Sequence, residues 1–186
     1  MKLPQNINIE FYKSMVNSGW DEDRKPLIQK LPAGLEDLPE EVKSFVKTLW
    51  WITLCREHYF YCDRDREIAY RSYLYYFGEI ERILPNFSLE NDFNHYWIEH
   101  SQMQLRCFGM TRMNPICIDQ YGRIYEIDNE LYYCDGTFYQ GLYNLIYGKG
   151  RLFMVEEKGQ LIEIDKTTRK RRKVKFSLHD IPGQSD

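Results

Sequence analysis

Cysteine is sparse and irregular in this chain, five residues in 186, an odd number with no repeated spacing. That excludes a disulfide framework and offers no paired zinc ligands; it fits reduced thiols. Histidine is scarcer still, with four. No apolar run approaches the roughly 20 residues of a membrane-spanning helix. The start, Met1-Lys2-Leu3 followed by Pro4-Gln5-Asn6, lacks the apolar stretch of a secretory signal, so a cytoplasmic protein is expected. A glycine-rich phosphate loop after a strand is missing, and so is a Gly-x-Ser-x-Gly elbow, which leaves no motif for phosphate cradling or serine hydrolysis.

What is abundant is aromatic: 16% Phe, Trp and Tyr, with 15 tyrosines. Tyrosine has high strand propensity, and it buries a ring while keeping a polar tip wet. The net charge of −3 hides an asymmetry. Residues 1–150 carry 16 Lys and Arg against 22 Asp and Glu, and residues 151–186 carry 9 against 6. An acidic body disfavours nucleic acid and speeds association with cationic proteins, although it also serves plain solubility.

Ile9, Tyr12, Met15 and Val16 form an apolar stripe that predicts a short helix, with Gly19 as its stop. Residues 32–39 hold two prolines and a glycine and read as loop. Pro39 suits a helix start, Glu40 and Glu41 favour its positive end, and Val42, Phe45, Val46 and Leu49 form its apolar face. Trp50 to Leu54 is β-prone and expected to enter a sheet. Arg56 to Phe77 admits either a strand pair or a helix. Phe93, Tyr96 and Trp97 suggest a helix over about Leu89 to Gln102.

Ile116 to Gly148 is the most ordered stretch of pattern. Ile116 and Ile118 alternate with Cys117 and Asp119; Asp119-Gln120-Tyr121-Gly122 is a turn; Ile124 to Ile127 and Leu131 to Cys134 are further strands. Thr137 and Gln140 have capping-box spacing. Phe138, Leu142, Leu145 and Ile146 share a helical face that Gly148 ends. A second hairpin, Leu152 to Asp165, repeats Gly122, Glu126, Ile127 and Asp128 at an offset of 37, and implies that the sheet continues past Gly150. The basic run Thr168 to Lys175 has charge enough to grip phosphates but lacks interleaved aromatics; an edge strand protected by Lys and Arg is favoured.

Catalytic groupings are poor. Cys55, His58, Cys62 and Asp63 match no zinc spacing, and His95, Glu99 and His100 lack the metalloprotease pattern, so no metal or cofactor is expected. Cys107 and Cys117 are nucleophiles in principle, yet free cysteine is more often a small buried hydrophobe.

Several of these residues, in order, resemble the SUKH superfamily of bacterial immunity proteins, which is related to a fungal cell-wall-synthesis regulator; the likeness is to its third subfamily. The family pattern opens with a helix, then Gly-Trp and a downstream Arg, similar to Gly19, Trp20 and Arg24. Val42 to Leu49 looks like its second helix, and Leu105-Arg106-Cys107-Phe108-Gly109 like its Leu-x-Pro-x-Gly element. The Asp-x-x-Gly-Arg-hydrophobic-Tyr signature resembles Asp119, Gly122, Arg123 and Tyr125. The Gly-Ser/Thr-Phe element matches Gly136, Thr137 and Phe138, and the Leu-hydrophobic-x-Gly end matches Leu145 to Gly148. Cys107 stands in place of proline, Trp50-Trp51 in place of a glycine pair, and the stretch after Gly150 has no counterpart.

The resemblance implies an α+β domain over 1–150, a twisted, mainly antiparallel sheet with helices packed on it; residues 151–186 are read from their own pattern as a C-terminal hairpin that extends the sheet, plus a basic tail. It also implies a non-catalytic cytoplasmic protein that neutralises a bacterial polymorphic toxin, such as a nuclease or deaminase, by stoichiometric contact. Expected contact residues are Glu36, Asp37, Glu40, Glu41, Asp63, Asp65, Glu67 and Tyr121. Two alternatives are a regulatory or scaffold module and a nucleic-acid binder acting through the basic tail.

Overall fold

A computed structural model describes residues 7–21, 23, 25–26, 28–32, 34–62, 67–78, 92–111 and 114–181, with backbone alone for 55–62, 67–73 and 92–95. Its centre is a nine-stranded antiparallel meander, not closed, in which every strand lies beside its predecessor. The strands are β1 (Thr53–Cys62), β2 (Glu67–Phe77), β3 (Arg106–Thr111), β4 (Pro115–Ile118), β5 (Ile124–Ile127), β6 (Leu131–Cys134), β7 (Leu152–Val155), β8 (Gln160–Ile164) and β9 (Arg171–Ser177). Among the described residues four α-helices accompany them: α1 (Ile9–Asn17), α2 (Glu40–Leu49), α3 (Asp92–Ser101) and α4 (Phe138–Tyr147). The chain is therefore α+β. No helix among the described residues is long and apolar enough to cross a membrane.

The two-residue period of the strands sorts their side chains into two large cores and a smaller cluster of Met154, Ile162 and Ile164. Leu54, Tyr75, Phe77, Phe108, Ile116, Ile118, Ile124 and Cys134 lie in one, with Phe11 and Met15 of α1, the apolar face of α2, and Phe138, Leu142 and Ile146 of α4. Leu105, Cys117, Tyr125, Ile127, Leu131, Tyr133, Phe153, Val155 and Leu161 lie in the other, with Trp97 of α3 and Leu178. The sheet is thus sandwiched, with α1, α2 and α4 in one layer and α3 in the other. Because β7 pairs with β6, it passes residue 150 without a break.

The structure resolves the stretch from 56 to 77 into a strand pair, in register from Thr53↔Tyr76 to Cys62↔Glu67. Among the described residues Tyr75, Tyr76 and Phe77 are the part of β2 that also pairs with β3. Gly109 sits where β3 passes β2: a Cβ there would lie 2.5 Å from the Tyr76 carbonyl oxygen.

Three local expectations are corrected, and a fourth is met over the residues described. Ile9 and Val16, expected inside with Tyr12 and Met15, are 61% and 42% exposed; α1 buries Phe11 and Met15 instead. Trp50 caps the end of α2, and Trp51 takes a positive φ of 66°, so β1 starts only at Thr53. The described helix near Trp97 is Asp92–Ser101, and 89–91 lie outside the described residues. The Thr137–Gln140 capping box does not form. Gln140 Nε2 instead donates to Asn144 Oδ1 at 2.8 Å, and Asn144 Nδ2 donates to the Asp135 carbonyl, so the side chain is drawn forward along α4.

Candidate interaction surface

The turn between β4 and β5 is built around Asp119. Its Oδ1 accepts the backbone N–H groups of Tyr121 (2.9 Å) and Arg123 (3.0 Å). Its Oδ2 accepts Arg123 Nε (2.6 Å) and the Tyr125 hydroxyl (2.8 Å). Gly122, at φ 81°, lets its own N–H reach the Asp119 carbonyl at 3.0 Å. The Asp119 and Arg123 side chains are 0% and 3% exposed. Burial, with the Asp119 carboxylate beside it, pushes the Tyr125 phenol well up, so it stays a protonated donor.

Arg123 also reaches across the fold. Its Nη1 donates to the Leu178 carbonyl at 2.6 Å, and its Nη2 lies 3.0 Å from Met103 Sδ. Gln120 Oε1 accepts the Gln104 N–H at 3.0 Å. The turn is thereby fastened to the loop after α3 and to the C-terminal segment. With four donors on one carboxylate and Arg123 committed to Asp119 and Leu178, neither group is available to act on a substrate.

On top of this lock stands Tyr121, 43% exposed, with the Arg123 guanidinium carbon 4.9 Å from its ring centroid. A second exposed ring, Tyr96 at 54%, projects from α3. It stacks on His100 at 5.3 Å and meets Trp97 edge-on at 4.8 Å, while His100 Nε2 lies 3.2 Å from the Val155 carbonyl oxygen. Tyr96 was not among the expected contact residues. Its i, i+4 spacing to His100 is the signal that marks it.

Of the expected acidic residues, the four at the start of α2 do not lie with Tyr121. Glu36, Asp37, Glu40 and Glu41 are exposed together at the start of α2, in the opposite layer. Glu36 pairs with Lys30 (3.0 Å) and Glu40 with Lys43, while Glu41 is a hydrogen-bond partner of the Tyr139 hydroxyl. Exposed pairs of this kind contribute about 0–1 kcal/mol each, so the cluster is worth more as a negative patch than as a brace. Asp63, Asp65 and Arg24 lie outside the described residues, and Glu67 opens β2 opposite Cys62, far along the hairpin.

The remaining motif residues hold the frame. Trp20, 1% exposed, donates Nε1 to Thr48 Oγ1 at 3.1 Å and packs on Tyr12 and Phe45. Gly19 follows α1, Gly136 and Thr137 precede α4, and Gly148 ends it. Cys107 and Cys117 face each other across β3 and β4; the neighbouring Cys107 and burial raise the Cys117 thiol well up, which makes it a poor nucleophile. Among the described residues no group of His, Cys, Asp and Glu is placed to hold a metal ion.

Comparison of the chain with protein-family models, with curated proteins and with solved structures finds no match.

Proposed function

We propose that the protein is a cytoplasmic immunity protein that neutralises a bacterial toxin domain, of nuclease or deaminase type, by stoichiometric contact. The observation that carries this reading is Tyr121: a large, half-exposed ring on a turn fixed by a buried ion pair. Interfaces draw most of their energy from a few aromatic or arginine anchors, and an anchor that is already rigid loses little freedom on binding. The Asp119, Gly122, Arg123 and Tyr125 residues that build the turn are the ones that resemble the immunity family. The acidic start of α2 would steer a cationic toxin toward the molecule from the opposite layer, adding to on-rate more than to affinity.

The test is co-purification from the native cell, followed by co-expression of the captured toxin domain with this chain. The expected result is protection by the wild type and its loss with Tyr121→Ala, in protein whose melting temperature is unchanged. Recovery of a non-toxin regulatory partner would favour a scaffold role instead. Full protection by Tyr121→Ala together with Tyr96→Ala would remove this surface from the mechanism.

A further inference from the structure

We propose that the free edge of β9 is a docking site for an acidic, extended segment of a partner protein, which adds to the sheet as a further strand. The site lies apart from Tyr121, and the inference does not rest on the toxin reading.

Among the described residues no strand lies beyond β9, which pairs with β8 alone. Alternate residues of an edge strand turn their backbone N–H and C=O groups outward, where a second chain can take them up. The side chains sort by face. Arg171 and Lys173 pair with Ile164 and Ile162, and they are exposed, as is Lys175. Val174 and Phe176 belong to the other face, where they are only half-covered; Phe176 meets Phe153 at 5.8 Å. The second core therefore ends at this edge with two unfinished apolar contacts.

An added strand completes both faces when acidic residues alternate with apolar ones. Its carboxylates then stand across from Arg171, Lys173 and Lys175, and its apolar side chains cover Val174 and Phe176. A second copy of β9 sets cation against cation, so the charges that block self-pairing select an acidic partner. At the start of β9 the edge opens into a cleft of about 730 Å³ lined by Arg151, Lys166, Lys170, Arg171 and Arg172. Its acids are already engaged. Glu163 pairs with Arg172, and Asp165 accepts the N–H groups of Thr167 (2.9 Å) and Thr168 (2.8 Å). Arg151 is likewise paired with Asp135 at 2.8 Å, so the positive charge left for the end of the acidic segment is that of Lys166, Lys170 and Arg171.

Nucleic acid fits less well. The sheet row that begins at Lys173 runs through Ile162, Met154 and Tyr132 to Glu126, and Glu156 lies 3.8 Å from Lys173. Phosphates laid over that face meet carboxylates, and an open backbone edge offers them nothing that a peptide would not use better.

The probe is a labelled seven-residue peptide of alternating Glu and Val, matched to the length of β9, titrated against the full chain by fluorescence anisotropy at low salt. Its companions are the same peptide N-methylated at alternate residues, a Lys/Val peptide and an oligothymidylate. Saturable binding is expected, weakened at least about tenfold by N-methylation, which removes strand pairing and leaves the charge. Lys173→Glu with Lys175→Glu should cost a similar factor and transfer binding to the Lys/Val peptide. Equal binding of the N-methylated peptide, tighter binding of the oligonucleotide, or no saturable binding of the Glu/Val peptide each overturns the proposal. The N-methylation arm uses wild-type protein and so does not depend on how the variant folds.

Discussion

Replacing Asp119 by alanine should be among the most damaging single changes outside the apolar cores. The substitution leaves the Arg123 guanidinium, 3% exposed, without its carboxylate, and frees the Tyr125 hydroxyl and two backbone N–H groups of the turn. Breaking a buried pair by removing one partner costs about 3–5 kcal/mol, because the remaining charge stays buried. For a chain of this length each kcal/mol moves the melting temperature by about 2–4 °C, so the expected drop is about 6–20 °C. Arg123→Met should cost less, about 2 kcal/mol, since Asp119 keeps three donors and the charged, buried guanidinium goes. It should nonetheless speed amide exchange around Leu178, whose carbonyl loses the shorter of its two hydrogen bonds and keeps only that from the Ile181 N–H at 3.3 Å. The double variant should cost at least about 1 kcal/mol less than the sum of the singles. Urea melts of the four proteins, with exchange read by mass spectrometry, supply the assay. A loss below about 1 kcal/mol for Asp119→Ala, or strict additivity in the double variant, would refute the argument that this pair locks the turn.

Three further outcomes follow from the same geometry. Gly109→Ala should destabilise by about 1–3 kcal/mol in a denaturant melt, because the new Cβ meets the Tyr76 carbonyl oxygen at 2.5 Å and strands β2 and β3 must part. Trp20→Phe should cost about 1 kcal/mol more than Trp50→Phe, because Trp20 loses a hydrogen bond to Thr48 whereas the buried Trp50 Nε1 has no acceptor among the described residues. Burial raises the Glu126 carboxyl above the ordinary glutamate range, against the Asn114 amide that it accepts at 3.0 Å. A raised folded-state pKa gives stability that is present below the unfolded pKa and lost as pH rises through the folded one. Glu126→Gln should therefore stabilise the protein at pH 7 and bring no gain at acid pH, read from melts across that window.

Wherever one residue's chemistry or a short period decided the outcome, the sequence was sufficient to read it. Alternation placed β4, β5 and β6, the spacing of Val42, Phe45, Val46 and Leu49 placed the buried face of α2, and Asp119 with Gly122 announced the turn. The basic run also took the edge position that its charge suggested. Other outcomes were illegible because the competing options were locally equal. In α1 two stripes, one through Ile9 and Val16 and one through Phe11 and Met15, are both apolar, and only the position of the sheet chose between them. Gln140 can turn back to a helix start or forward to Asn144, and the contact of Asn144 with Asp135 settled it.

By itself, then, the sequence determined the hairpins between Ile116 and Asp165, the helices and the charged edge, since each depends on neighbours a few residues away; the pairing of β1 with β2 came only with the structure. Only the tertiary structure decided that Arg123 closes onto Leu178, 55 positions later, that the turn bearing Tyr121 locks into one layer while the α2 carboxylates lie in the other, and that among the described residues β9 has β8 on one side and no strand on the other. Those facts depend on which distant segments share the two faces of one sheet, and local periodicity carries no information about that pairing.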